Sequence, residues 1–74
     1  MSQPSRYPVS NIEYNIIVTM SNLLQGSETL QKYRSDAEQA GDAETAAIFG
    51  RIRDSYDSQA TELHEALKRV VSQS

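Results

Sequence analysis

The residues best suited to chemistry in this chain lie together in "YDSQATELHEAL", residues 56–67. The stretch holds the single histidine, His64, with Glu62 and Glu65 beside it and Asp57 seven positions earlier. Imidazole and carboxylate groups bind metals and move protons, so a metal or acid–base centre is what such a cluster offers. The spacing argues against it. On a helix, side chains meet at three and four positions' separation, and the positions four and three before His64 are Ala60 and Thr61. Glu62 and Glu65 turn to other faces, and Asp57 lies two turns away. His64 falls about 75° from the centre of the apolar stripe. The sequence therefore favours a partly exposed flank residue opposite Thr19 and Met20 over a ligand or a base.

Composition narrows the remaining options. Seventy-four residues make one small domain. The absence of cysteine excludes disulfides and thiolate metal sites. A net charge of −3 leaves no basic surface to track phosphates, so nucleic acid is not an expected partner. The most apolar stretch, "IIVTMSNLL", falls well short of the roughly 20 residues of a spanning helix. "MSQPSRYPVS" contains no hydrophobic signal core. The expectation is a soluble cytoplasmic protein with no membrane partner. No phosphate loop, no nucleophile paired with a base and no zinc spacing occurs, and "QGS" at 25–27 has no strand before it.

The elements that would position these groups are two helices. Residues 1–8, with two prolines and no periodicity, read as a flexible arm, with Tyr7 available for docking. Ser10 and Glu13 have the spacing of a capping box, and Val9 and Tyr14 that of a hydrophobic staple. Helix 1 is then expected over about 10–40. Its apolar stripe is Val9, Ile12, Ile16, Met20, Leu23, Leu30, Tyr33, Ala37 and Ala40. Gly26 costs a helix about 1 kcal/mol relative to alanine, but the stripe resumes in phase at Leu30. A continuous helix is thus preferred to a break capped by Ser27. Gly41 suits the left-handed helix end and Asp42 the next N-cap. Helix 2 is expected from Ala43 to about Val71, with Ala46, Phe49, Ile52, Tyr56, Ala60, Leu63, Leu67 and Val70 inward. Glu44 falls in its first turn and Lys68 and Arg69 in its last turns, where the helix dipole favours them.

So short a turn makes the helices antiparallel. Counting outward from it sets Ala37 opposite Ala46, Tyr33 opposite Phe49, Leu30 opposite Ile52, Gly26 opposite Tyr56, Leu23 opposite Ala60 and Ile16 opposite Leu67. Most acidic side chains, Asp57 among them, point away from the stripe. Tyr33, Tyr56 and Gln59 point inward as a polar layer, which could also line a small-ligand pocket, and Arg34 and Arg53 lie at the stripe's margin.

The apolar arc is wider than one helical neighbour can cover, about 160° on helix 2. Ile17 and Leu24 lie about 100° and 80° from Ile16. Covering such side chains at about 25 cal/mol per Å² amounts to several kcal/mol, comparable with the stability of a small domain. A second copy is the simplest cover. The expected dimer interface is Ile17, Met20, Leu24, Ile48, Tyr56, Gln59 and Ala66.

"LLQGSETLQKYRSDAEQAGDAETAAIFGRIRDSYDSQATELHEAL" resembles half of a ferritin-like bundle, of the rubrerythrin type or a related small ferritin-like domain. The resemblance spans about residues 12–70, and its most telling piece is "AEQAGDAETAAIF". In that family each half-bundle supplies one carboxylate from its first helix and a Glu-x-x-His pair from its second to a di-metal centre. The aligned positions here are Gly26, Tyr56 and Gln59, none a usual ligand, so the resemblance implies the fold without the metal chemistry. The combined expectation is an all-α antiparallel two-helix hairpin dimerising into a ferritin-like four-helix bundle. It would be a non-enzymatic structural or protein-interaction module without cofactor, catalytic residues or metal. Two alternatives stay open: a metal-binding or oxidoreductase domain with atypical ligands, and an adaptor receiving helices of a different protein.

Overall fold

A computed structural model describes residues 9–73; the predicted arm at 1–8 lies outside them. Two helices, α1 (Asn11–Gln39) and α2 (Ala43–Gln73), pack against each other along their length as a hairpin. The body measures 52 × 20 × 18 Å.

Both helix starts and the reversal between them follow from local chemistry. Ser10 is extended and its hydroxyl accepts from the Glu13 N–H at 3.1 Å, satisfying a donor that the first turn leaves free. α1 runs without interruption through Gly26. It ends where Gly41 takes a φ of +79°, a region that costs a side chain but not glycine. There the Gly41 N–H donates to the Glu38 carbonyl and the Asp42 N–H to the Ala37 carbonyl, the paired bonds of a Schellman ending. Asp42 closes one helix with its backbone and opens the next with its side chain. Its Oδ1 accepts from the Thr45 N–H at 3.0 Å and its Oδ2 from the Thr45 hydroxyl at 2.6 Å. α2 continues two residues beyond the expected Val71, so Lys68 and Arg69 stand before its last turn, which carries no base.

The seam between the helices follows a heptad rhythm, the spacing that keeps one stripe facing a partner over many turns. On α1, with Val9 just before it, the half-buried or buried series is Glu13, Ile16, Met20, Leu23, Ser27, Leu30, Arg34, Ala37. On α2 it is Ala46, Phe49, Arg53, Tyr56, Ala60, Leu63, Leu67, Val70. Most of the predicted stripe is there, but at five places the chain turns differently. Ile12 and Tyr33 sit beside the seam rather than in it, at 60% and 46% exposure, and Ala40 is exposed at the turn. Ile52, expected against Leu30, is 39% exposed, and Arg53 takes the seam position. Asp57, expected in solvent, is half-buried. The cause is polar: Ser27, fully inside the seam, donates to Asp57 Oδ1 at 2.7 Å across the two helices. Arg34 extends over Gly50, where an added Cβ would lie 3.4 Å from its guanidinium nitrogen.

The core that results is thin. The buried apolar residues are Ile16, Ala46 and Ala60, two of them alanines, and none is sealed completely. Among the described residues, nine large apolar side chains remain at 38% exposure or more, including Ile12, Ile17, Leu24, Ile48, Ile52 and Val71.

Candidate functional site: the two flanks of the hairpin

The seam divides the surface into two flanks, and each carries an open groove. One groove, about 410 Å³, is lined by Met20 and Leu24 of α1 and by Asp57, Ala60, Thr61 and His64 of α2. The other, about 370 Å³, lies at the turn end, where Tyr33, Ala37 and Ala40 meet Thr45 and Phe49 with Asp36 and Asp42 at the edge. Within it the Tyr33 and Phe49 rings meet at a tilt of 56° with centroids 5.8 Å apart, a favourable aromatic arrangement.

His64 is exposed and shares its groove with Asp57. Asp57 already holds the buried Ser27 hydroxyl, so it serves the helix pairing first. Glu65, next to the histidine, pairs instead with Lys68 at 3.2 Å. Among the described residues no group of three or more histidine, aspartate or glutamate side chains is placed to hold a metal ion. None of the described helices is long and apolar enough to cross a membrane.

The positions that the ferritin-like resemblance marks as ligands do not fit a metal. A Cβ built on Gly26 would stand 2.7 Å from Tyr56 Cε2 and 3.0 Å from Cδ2, so the tyrosine ring occupies the space a first-helix carboxylate would need. Tyr56 is turned into that contact, and Gln59, one turn on, is exposed. Glycine, a packed phenol ring and an amide are a poor donor set for iron or manganese.

The expected interface residues divide between the flanks. Met20 and Leu24 line the His64 groove, and Ile17 lies seven residues before Leu24 on the same flank. Tyr56 contacts Gly26 on the opposite flank, with Gln59, Ala66 and the outlying Ile48 on that side of the wheel. The sequence offers Ser27 only as the cap of a broken helix and sets Arg53 at the stripe's margin, whereas the structure puts both in the seam. Arg53 Nε is enclosed and has no hydrogen-bond partner. A polar residue at a stripe position on each helix was the available signal.

No protein-family model, curated protein or solved structure matches this chain. The class the fold defines is a helical hairpin with two long helices and a tight acidic turn.

Proposed function

We propose that the protein is a non-enzymatic module that works as a homodimer, two hairpins forming one four-helix bundle of the ferritin-like kind without its metal ligands. One observation carries this reading: among the described residues only Ile16 and two alanines are buried apolar side chains, the rest of the apolar seam is half-exposed, and nine large apolar side chains face outward. A chain of this size has little stability to spare. Each large apolar side chain moved from water to an interface contributes about 1.5–3 kcal/mol. The resemblance in the turn and the tyrosine filling the Gly26 position support the metal-free form. Sedimentation equilibrium at micromolar concentration tests the proposal. A mass of twice 8.3 kDa is expected; a folded, helical monomer would overturn it.

An adaptor role also has an observation behind it. A single dimer interface covers one flank, and the other retains its apolar groove. Should the protein sediment as a monomer alone and co-purify from cells in a defined heteromer, the groove beside Leu24 and His64 becomes the place where a foreign helix would lie.

A further inference from the structure

The two flanks differ in charge, and the difference selects one of them. On the Tyr33 side, the positions next to the seam repeat every seven residues. They are Ile12, Thr19, Gly26, Tyr33 and Ala40 on α1, and Thr45, Ile52, Gln59, Ala66 and Gln73 on α2. None of the ten is charged; the carboxylates of this side, Asp36 and Asp42, stand at the outer edge of the turn-end groove. The Tyr33–Ala40–Thr45 groove and the Gly26–Tyr56 contact place both series on the same side of the hairpin. The equivalent positions on the other side mix the apolar Ile17, Leu24 and Val71 with Glu38, Asp57 and His64, and Arg34 pairs with Glu38 at 3.7 Å. Burying that flank would take the half-exposed Arg34–Glu38 pair and the Asp57 carboxylate out of water, a cost the ten uncharged positions do not carry.

The uncharged flank is also complementary to itself, in one orientation only. We infer that a second copy docks on this flank with its turn at the opposite end, about a two-fold axis near Gly26 and Gln59. This rests on the homodimer reading and specifies its face and direction. In that arrangement α1 lies along α1 of the partner and α2 along the partner's α2, both antiparallel. Positions equally far from the axis then meet. Tyr33 falls against Thr19, Ile52 against Ala66, and Ile12 against Ala40, a large residue against a small one each time. That alternation fills space without overpacking. Near the axis each Gly26 is covered by the Tyr56 ring of its own hairpin, and the Gln59 amides, each both donor and acceptor, face one another. The α1 and α2 centres sit nearly level, since Ser27 bonds to Asp57, two residues or about 3 Å from Gln59.

With the turns at the same end, α1 would face α2 of the partner instead. Tyr33 would then meet Ile52 while Thr19 met Ala66, crowding one half and leaving gaps in the other. The area suffices for a stable pair: a face 52 Å by 20 Å covers roughly 1,000 Å² per protomer, against about 800 Å² per partner in a standard interface.

The chain has no native cysteine, so a single introduced one reports cleanly. Spin labels on Gln39→Cys, at the exposed end of α1, give the distance between the two turn ends in the dimer. Thirteen residues from the axis on each side predicts about 40 Å with turns opposed, against under about 20 Å with turns together. Ile52→Asp should convert the dimer to a helical monomer, weakening association at least 100-fold, while Leu24→Asp leaves the mass unchanged. Circular dichroism on both variants separates lost association from lost folding. A dimer with a short distance, or one broken by Leu24→Asp and not by Ile52→Asp, overturns the assigned face or direction and leaves self-association standing. A wild-type monomer removes both. A dimer with the long distance and the Ile52→Asp sensitivity supports the arrangement.

Discussion

The turn and the middle of the seam are the two tightest regions of this hairpin, and they are tight for different reasons. At the turn, residues 37–46, the contacts are between neighbours in the chain. Gly41 supplies the left-handed backbone, Asp42 meets Thr45 three residues on, and the freed carbonyls of Ala37 and Glu38 are reclaimed within five residues. In the middle of the seam, Gly26 meets Tyr56 and Ser27 meets Asp57 across thirty residues of sequence. One turn along α2 from Asp57, the enclosed Arg53 Nε has no hydrogen-bond partner among the described residues. Local chemistry completes the turn, whereas the centre is a fit between two surfaces that exists only in one register. The turn should therefore yield gradually to substitution. The centre should yield abruptly, and in pairs.

The largest effect is expected at Gly26. A Cβ there would already press on the Tyr56 ring at 2.7 Å, and leucine adds three carbons beyond it. Overpacking of this kind costs about 1–3 kcal/mol, more than the roughly 1 kcal/mol a helix gains on losing a glycine. Gly26→Leu should lower the urea midpoint markedly at fixed protein concentration. Combining Gly26→Ala with Tyr56→Leu should cost less than the two single changes together, because the ring that causes the clash is gone. Simple additivity would show that the helices are not held together at this point.

The cross-helix hydrogen bond comes next. Asp57→Ala strands a buried hydroxyl, which costs about 1–3 kcal/mol, moderated if Ser27 turns to its own helix carbonyl. Ser27→Ala should cost less, about 0.5–1.5 kcal/mol, since half-exposed Asp57 can return to water. Thermal melts of both variants and the double change give the coupling. Equal losses would mean that Ser27 is not enclosed as its 5% exposure implies.

This contrast also explains what could be read from the residues alone. Ser10, Glu13, Gly41, Asp42 and Glu44 announce the helix ends because caps and left-handed glycines act within a few positions. Counting outward from a turn so fixed gave the Gly26–Tyr56 and Tyr33–Phe49 contacts. The same counting placed Ile12 and Ile52 in the seam, and the structure turns them out. Hydrophobicity alone ranks isoleucine above serine or arginine at an inward position. Ser27 earns its place only through Asp57, a partner that no pattern within α1 reveals. The split of Ile17, Met20 and Leu24 from Ile48, Gln59 and Ala66 was hidden similarly, since an apolar arc does not disclose where a neighbouring helix will divide it.

The smallest effect, and the one that best isolates the turn, is the titration of Asp42. The Thr45 hydroxyl, then the Thr45 N–H, hold its carboxyl below the ordinary value of 3.8, because both bonds favour the ionised form. The folded state therefore binds that proton less readily than the unfolded chain. By linkage, the stabilisation is fully present above the unfolded carboxylate range and is lost as pH falls through the lower folded value. Asp42→Asn retains an oxygen able to cap α2 but cannot titrate. The two proteins should melt alike near neutral pH, and below about pH 4 the wild type should lose stability faster than the variant. Thr45→Val should bring the Asp42 carboxyl back toward its ordinary value in a carbon-detected NMR titration. Substitutions at Ser27 or Gly26 should leave that titration where it is, because a turn built from neighbouring residues takes nothing from the register of the seam. Movement of the Asp42 titration on changing Ser27 would mean that the two regions are one cooperative structure after all.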